Sequence, residues 1–320
     1  MYDFDSELAP MVELLPELGT TDVAESRAAL DELIAPFNAS IELGGVSFED
    51  RVVPGYAGEP DVGVRVYQPA NRPEKAVPGL LYVHGGGFTV GSVATEHAGA
   101  VGLCRELDVV VVSVDYRLAP EDPWPAGLDD CYSALAWFHI ESDDLGVDRS
   151  RIGISGASAG GGLCASLALL AKERGGPGIC FQYLGIPELD DRLDTPSMRA
   201  FIDTPLWNRP AAEQSWAHYL GDLVGGDVPI TAAPGRATAD DLSDLPPAYI
   251  STMQFDPLRD EGILYAMRLL EAGVNVELHS YPQTFHGSTL VATAQVHRRE
   301  QAEQLAVLRR GLGVVDPSRA

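Results

Sequence analysis

Apolar and polar positions change period several times along the chain. Over residues 1–50 the apolar positions recur at helical spacing, as in Leu8, Met11, Leu14 and Leu15, then Ala29, Leu30 and Leu33. From Val62 to Tyr67 they alternate, which predicts a strand. Leu80 to Val83 is a short apolar run, and Val109 to Val114 is nearly all valine, as suits a strand buried on both faces. Arg151–Ser155, Cys180–Leu184, Ala248–Ser251 and Val276–Ser280 are further strands. Helical patterns fall between them at about 94–106, 127–142, 159–174, 257–272 and 292–311. Strand and helix alternating in this way predict an α/β protein with a mostly parallel central sheet flanked by helices.

One segment breaks the rhythm. From Glu188 to Leu245 the chain is rich in Asp, Pro, Gly and Trp, with a helix-like piece near Ala211 to Leu220. The expected organisation is N-terminal cap helices over 1–50, the first part of an α/β core over 51–187, a cap insertion over 188–245 that packs on the N-terminal helices, and the rest of the core over 246–320. No internal repeat or low-complexity linker interrupts this plan.

Composition narrows the chemistry. A 45% hydrophobic fraction in 320 residues is enough for a sizeable core. The net charge of −25 repels phosphate backbones and anionic membrane surfaces, so neither nucleic acid nor membrane is expected as a partner. No stretch approaches the apolar length of a spanning helix, and the start MYDFDSELAP has no signal-peptide character. Cys104, Cys131, Cys164 and Cys180 are widely spaced, which predicts four buried free thiols in a cytoplasmic protein rather than a disulfide or metal framework.

The strongest local signal is Gly156-Ala157-Ser158-Ala159-Gly160, between the strand at 151–155 and the helix at 159–174. A serine on so sharp a turn projects its hydroxyl over the sheet edge, and side chains two residues to either side would collide. Gly161 and Gly162 let the helix start close to the sheet, with its free N–H groups aimed at the site. The second signal is His84-Gly85-Gly86-Gly87-Phe88 after the strand at 80–83. Attack on a carbonyl builds an oxyanion that needs preorganised N–H donors, and glycine lets a backbone come close enough. One donor is expected from Ala159 and others from this glycine loop. No Gly-Lys-Ser/Thr ending marks the loop as a nucleotide cradle, and the dinucleotide pattern also fails. His84 reads as a packed or hydrogen-bonded loop residue.

A nucleophilic serine needs a base, and the base an orienting acid; in this strand order the acid and then the histidine follow the serine. His84, His97 and His139 precede Ser158. His218 lies in the insertion, His279 in a strand and His297 in a helix, which leaves His286, in a loop after the last strand. Asp256 stands shortly after the strand at 248–251. An Asp before Pro is also a natural helix cap, and Asp260 is the runner-up as acid. Asp260 and Glu261 would otherwise complement a helix start or pair with Arg259.

These blocks resemble the bacterial hormone-sensitive-lipase-like esterases, of the α/β-hydrolase fold. The resemblance includes Tyr116-Arg117-Leu118-Ala119-Pro120-Glu121, Asp256-Pro257-Leu258-Arg259-Asp260-Glu261-Gly262 and Phe285-His286-Gly287. Ile186 to Arg192 and Asp203 to Trp207 look closest to the heroin esterase branch. The resemblance implies a triad of Ser158, Asp256 and His286, oxyanion donors from Gly86, Gly87 and Ala159, a structural role for Tyr116–Glu121, and a helical cap over an acyl pocket. It implies no metal or organic cofactor, and homodimers are common in the family. Ala157 departs from the pattern, since the family carries Asp there. The expected reaction is hydrolysis of small, short-acyl carboxylic esters through an acyl-enzyme. A binding protein of the same fold would lack the histidine. An amidase or a lyase remains a rival. Trp207, Trp216, Phe88 and Leu206 are candidate pocket walls or core residues.

Overall fold

A computed structural model describes residues 2–15, 22–70 and 75–314. Its centre is an eight-stranded sheet in the order β1-β2-β4-β3-β5-β6-β7-β8. The strands are β1 Val46–Val53, β2 Val62–Pro69, β3 Val77–Val83, β4 Val110–Asp115, β5 Val147–Ala157, β6 Gln182–Gly185, β7 Ala248–Phe255 and β8 Val276–Phe285. β1 and β2 pair antiparallel, as do β2 and β4; every other neighbouring pair is parallel. The helices are α1 Val23–Ser40, α2 His97–Leu107, α3 Ala126–Ile140, α4 Ala159–Arg174, α5 Pro196–Ala200, α6 Arg209–Leu220, α7 Ala239–Leu242, α8 Arg259–Glu271 and α9 Gln295–Gly311.

The valine run shows why the sheet is covered twice. Val110, Val112 and Val114 enter the core built with α3, α4 and α8, while Val109 and Val111 enter the one built with α2 and α9. Alternate side chains of one strand thus feed opposite layers. On the second face the C-terminal turn of α9 presses close: a Cβ at Gly153 would lie 2.7 Å from Leu312.

The structure corrects three expectations. Residues 1–50 are not helical throughout: Ala9–Leu14 is a short 3-10 helix, α1 follows, and β1 begins at Val46. Phe4 and Leu8 pack against the ends of β7 and β8 in a third apolar cluster with Met253, Tyr281 and Phe285. All four cysteines are free, but only Cys104, Cys131 and Cys164 are buried, with Cys180 half-buried ahead of β6. Glu261 does stand in the first turn of α8, but its carboxyl bonds the chain after β6 and not Arg259.

Between β6 and β7 the chain runs through α5, α6 and α7. Here Tyr2 hydrogen-bonds Asp203 and packs on Phe201. The recorded bonds of α1 go elsewhere: Arg27 holds the carbonyls of Thr89 and Ala119 at 2.7 and 2.9 Å and pairs with Glu121, and Asn38 holds the carbonyl of Ala94.

Candidate active site

Because β3 and β5 to β8 run parallel, their C-terminal ends share one edge of the sheet. β5 ends at Ala157, and Ser158 makes the turn with φ 57° and ψ −126°, a conformation strained for any residue with a Cβ. α4 starts at the next residue. A Cβ at Gly156 would lie 2.4 Å from the Gly160 carbonyl oxygen, and one at Gly160 only 2.2 Å from that of Val83. No side chain fits at either position. The Ser158 amide donates to Gly185 at 2.8 Å, and its carbonyl accepts from Gly162 at 3.0 Å and Glu188 at 3.1 Å. Ala157 is exposed. The elbow is therefore secured by backbone bonds, to α4 and to the exit of β6, without the Asp that the family pattern puts at 157.

Register brings the other two groups together. Phe255 of β7 pairs with Phe285 of β8, so the residues that follow, Asp256 and His286, leave the sheet side by side. His286 Nδ1 lies 2.8 Å from Asp256 Oδ2, and His286 Nε2 lies 2.9 Å from Ser158 Oγ. Hydroxyl, imidazole and carboxyl stand in series, and all three are buried. Asp256 Oδ1 also accepts from the Leu258 amide at 2.8 Å, so the residue shapes the turn into α8 as well as holding the imidazole. Asp260 is occupied by Arg259 and the Ser197 amide. Glu261 is buried and reaches back to accept from the amides of Leu189 at 2.6 Å and Asp190 at 3.2 Å, and burial holds its acid well above the usual carboxyl range.

The other histidines serve elsewhere. His84 stacks on Tyr116, its Nδ1 lies 2.8 Å from the Gly85 carbonyl, and burial pushes its pKa down to about 4. His97 contacts the Tyr67 hydroxyl, His139 the Leu135 carbonyl, His279 the carboxylate of Glu303 and His297 that of Glu300. His218 is half-buried on α6.

The glycine loop lies across the elbow. Gly86 and Gly87 have φ of 117° and 53°, and a Cβ at Gly85 would lie 2.8 Å from the Ala157 carbonyl oxygen. The Gly86 carbonyl accepts from Thr89 and Val90, Tyr116 donates to the His84 carbonyl at 3.0 Å, and Ala119 donates to that of Phe88 at 3.0 Å. Residues 116–121 thus brace the loop. Ser215 Oγ of α6 donates to the Gly87 carbonyl at 3.0 Å. Among the described residues, no group accepts from the amides of Gly86, Gly87 or Ala159. Ala159, as the first residue of α4, has no intrahelical acceptor.

A family model of the alpha/beta hydrolase fold matches residues 80–290. The chain is a member of this family. This α/β hydrolase is 40% identical over 316 residues to the carboxylesterase NlhH of Mycobacterium tuberculosis, covering 97% of each chain. It is 36% identical to the esterase LipI of the same organism over 85% of its own length and 91% of the relative's. Among solved structures it is similar to a bacterial heroin esterase, with a TM-score of 0.94, 50% identity and coverage of 97% and 98% of the two chains. It also superposes on the esterase LipW of Mycobacterium marinum, with a TM-score of 0.86, 35% identity and coverage of 97% and 96%. The hydrolase is a carboxylic ester hydrolase.

The four aromatic and aliphatic candidates for its pocket walls divide. Phe88 and Trp216 are buried and pack with Tyr219, the Phe88 ring stacked on Tyr219 at 3.9 Å. Leu206 and Trp207 are half-buried at the site. The Trp207 ring lies 5.6 Å from that of His286, and a Cβ at Gly287 would lie 3.0 Å from Leu206.

Sequence reasoning missed Glu188 and Ser215 of the hydrolase. Glu188 is 0% exposed, and burial pushes its acid up to about 8. The available signal was a lone Glu directly after Ile186-Pro187, where the chain leaves a central strand. Among the described residues, no cluster of three or more His, Cys, Asp or Glu could hold a metal ion, and no helix is long and apolar enough to cross a membrane.

Proposed function

We propose that this hydrolase cleaves small, short-acyl carboxylic esters through an acyl-enzyme on Ser158. His286 Nε2 takes the Ser158 proton as Oγ attacks the ester carbonyl. The developing oxyanion is bound by the amides of Gly86, Gly87 and Ala159. The tetrahedral intermediate collapses, the C–O bond to the alcohol breaks, and His286 returns the proton to the leaving oxygen. Water then attacks the acyl-serine by the same route, leaving acid and free enzyme. Asp256 orients the imidazole and stabilises its charged form.

The observation that carries this reading is the unbroken hydrogen-bond series Ser158 Oγ, His286 Nε2, His286 Nδ1, Asp256 Oδ2 beside unused amides. The test is Ser158→Ala. Its cleavage of p-nitrophenyl acetate should fall to background, and labelling by an organophosphate, located by mass spectrometry, should vanish from the Ser158 peptide. Unchanged turnover would defeat the mechanism.

The short-acyl preference rests on the narrowness of the site. Trp207 sits so close that a Cβ at Gly87 would come within 2.7 Å of its ring. We assign residues 188–245 to a cap over this site, on the strength of Ser215 and Trp207, which both come from that segment. A p-nitrophenyl ester series from acetyl to palmitoyl should give the highest kcat/KM between acetyl and hexanoyl. An optimum at palmitoyl would overturn the preference while leaving the mechanism intact.

A further inference from the structure

Glu188 is a buried acid beside the nucleophile that the mechanism above does not use. It leaves β6 two residues after Ile186, and its amide donates to the Ser158 carbonyl at 3.1 Å. Its carboxyl is closed off from solvent, and neither oxygen has a hydrogen-bond partner. The hydroxyl of Ser215 lies next to it. That hydroxyl donates to the Gly87 carbonyl at 3.0 Å. A serine hydroxyl has one proton. While that proton serves Gly87, Ser215 can only accept from Glu188. A carboxylic acid can donate to it, and a carboxylate cannot.

Burial favours the acid over the carboxylate, and outweighs the Ser215 contact, which favours the carboxylate. The titratable groups near enough to act on Glu188 through their charge are Tyr219 of α6, Tyr116 after β4, Asp256 after β7 and Glu261 of α8. None of these is cationic, and two are carboxyls. Ionising Glu188 would place a further negative charge in a dry site.

We propose that Glu188 is a positioning residue of the oxyanion loop: its neutral acid donates to Ser215 Oγ, which commits the Ser215 proton to the Gly87 carbonyl and fixes the glycine loop. When Glu188 loses its proton to solvent, the carboxylate draws the Ser215 proton to itself. The Gly87 carbonyl is then released from α6. The inference rests on the proposed role of the Gly86 and Gly87 amides.

The test is the pH dependence of kcat and KM for p-nitrophenyl acetate, from about pH 6 to about pH 10, in the natural enzyme, Glu188→Gln and Ser215→Ala. Organophosphate titration of Ser158 at each pH counts the active sites first. The natural enzyme should lose kcat by about tenfold as pH rises through about 8, with KM nearly constant. Glu188→Gln keeps an N–H donor that cannot ionise, so it should retain the neutral-pH rate and lack the alkaline fall. Ser215→Ala should be about tenfold slower at neutral pH and also lack the fall. If either variant keeps the natural alkaline limb, the relay is overturned; Ser215→Ala decides the matter alone if Glu188→Gln does not fold. A natural enzyme that turns over ester but is not labelled at Ser158 would sink the serine mechanism instead, which separates the two failures.

Discussion

Gly87 is confined by its own φ of 53°, by the Trp207 ring 2.7 Å from where a Cβ would stand, and by Ser215 Oγ 3.2 Å from the same point. The Gly87→Ala variant should therefore fold but swing the loop off its position, lowering kcat by about 10²–10³, the cost of losing one oxyanion donor. Steady-state kinetics should show KM changing far less; a rise in KM with kcat untouched would remove the loop from transition-state binding. Glu188 makes a separate statement about stability. Its acid is raised in the folded chain to about 8 from an ordinary 4.5, so between those values the native state holds a proton that the unfolded chain has released. Stability contributed by that proton is complete below about 4.5 and is lost as pH rises through about 8. Glu188→Gln should accordingly melt above the natural enzyme at pH near 8 and match it near pH 4, as calorimetry can record. Ser158 was legible from sequence because the demands of its turn are local: Gly156 and Gly160 announce the missing space. Glu188 was not, because an acid acquires this behaviour only from burial among other chain segments.

At the scale of elements, legibility followed periodicity. The helix expected at 159–174 is α4 to the residue, and the valine-rich run at 109–114 is β4 shifted by one residue, Val110–Asp115. β1 was missed because it is an edge strand whose only buried residues are its end valines, Val46 and Val53. A pattern so weakly alternating carries no strand signal. α5 and α7 span five and four residues, too few for a helical period to show. The N-terminal stretch misled differently. Its apolar spacing is real, but Leu8 is fully buried against the ends of β7 and β8 rather than within a helix bundle. Leu8→Ala should cost about 2–5 kcal/mol in urea unfolding, as for other buried leucines. It should also weaken activity, because Phe285, in the same cluster, immediately precedes His286. A variant with full stability would mean that the segment is not seated there.

At the scale of the whole molecule, 47 acidic residues face 22 Lys and Arg. Such an excess repels itself in the compact state, and salt shortens the range of that repulsion. Melting temperature should rise between about 0.01 M and about 0.5 M sodium chloride. A fall would show that the surface ion pairs, such as Arg310 with Glu277, outweigh the net repulsion. The overall α/β plan and the convergence at one sheet edge were readable from strand order, since parallel strands must deliver their ends to one side. The sheet also sets unequal anchoring for the partners in the site. Ser158 hangs from β5, which has a neighbour on each side, while His286 hangs from β8, the outermost strand. Warming should fray the margin before the centre, so the imidazole drifts away from an intact nucleophile and inactivation precedes global melting.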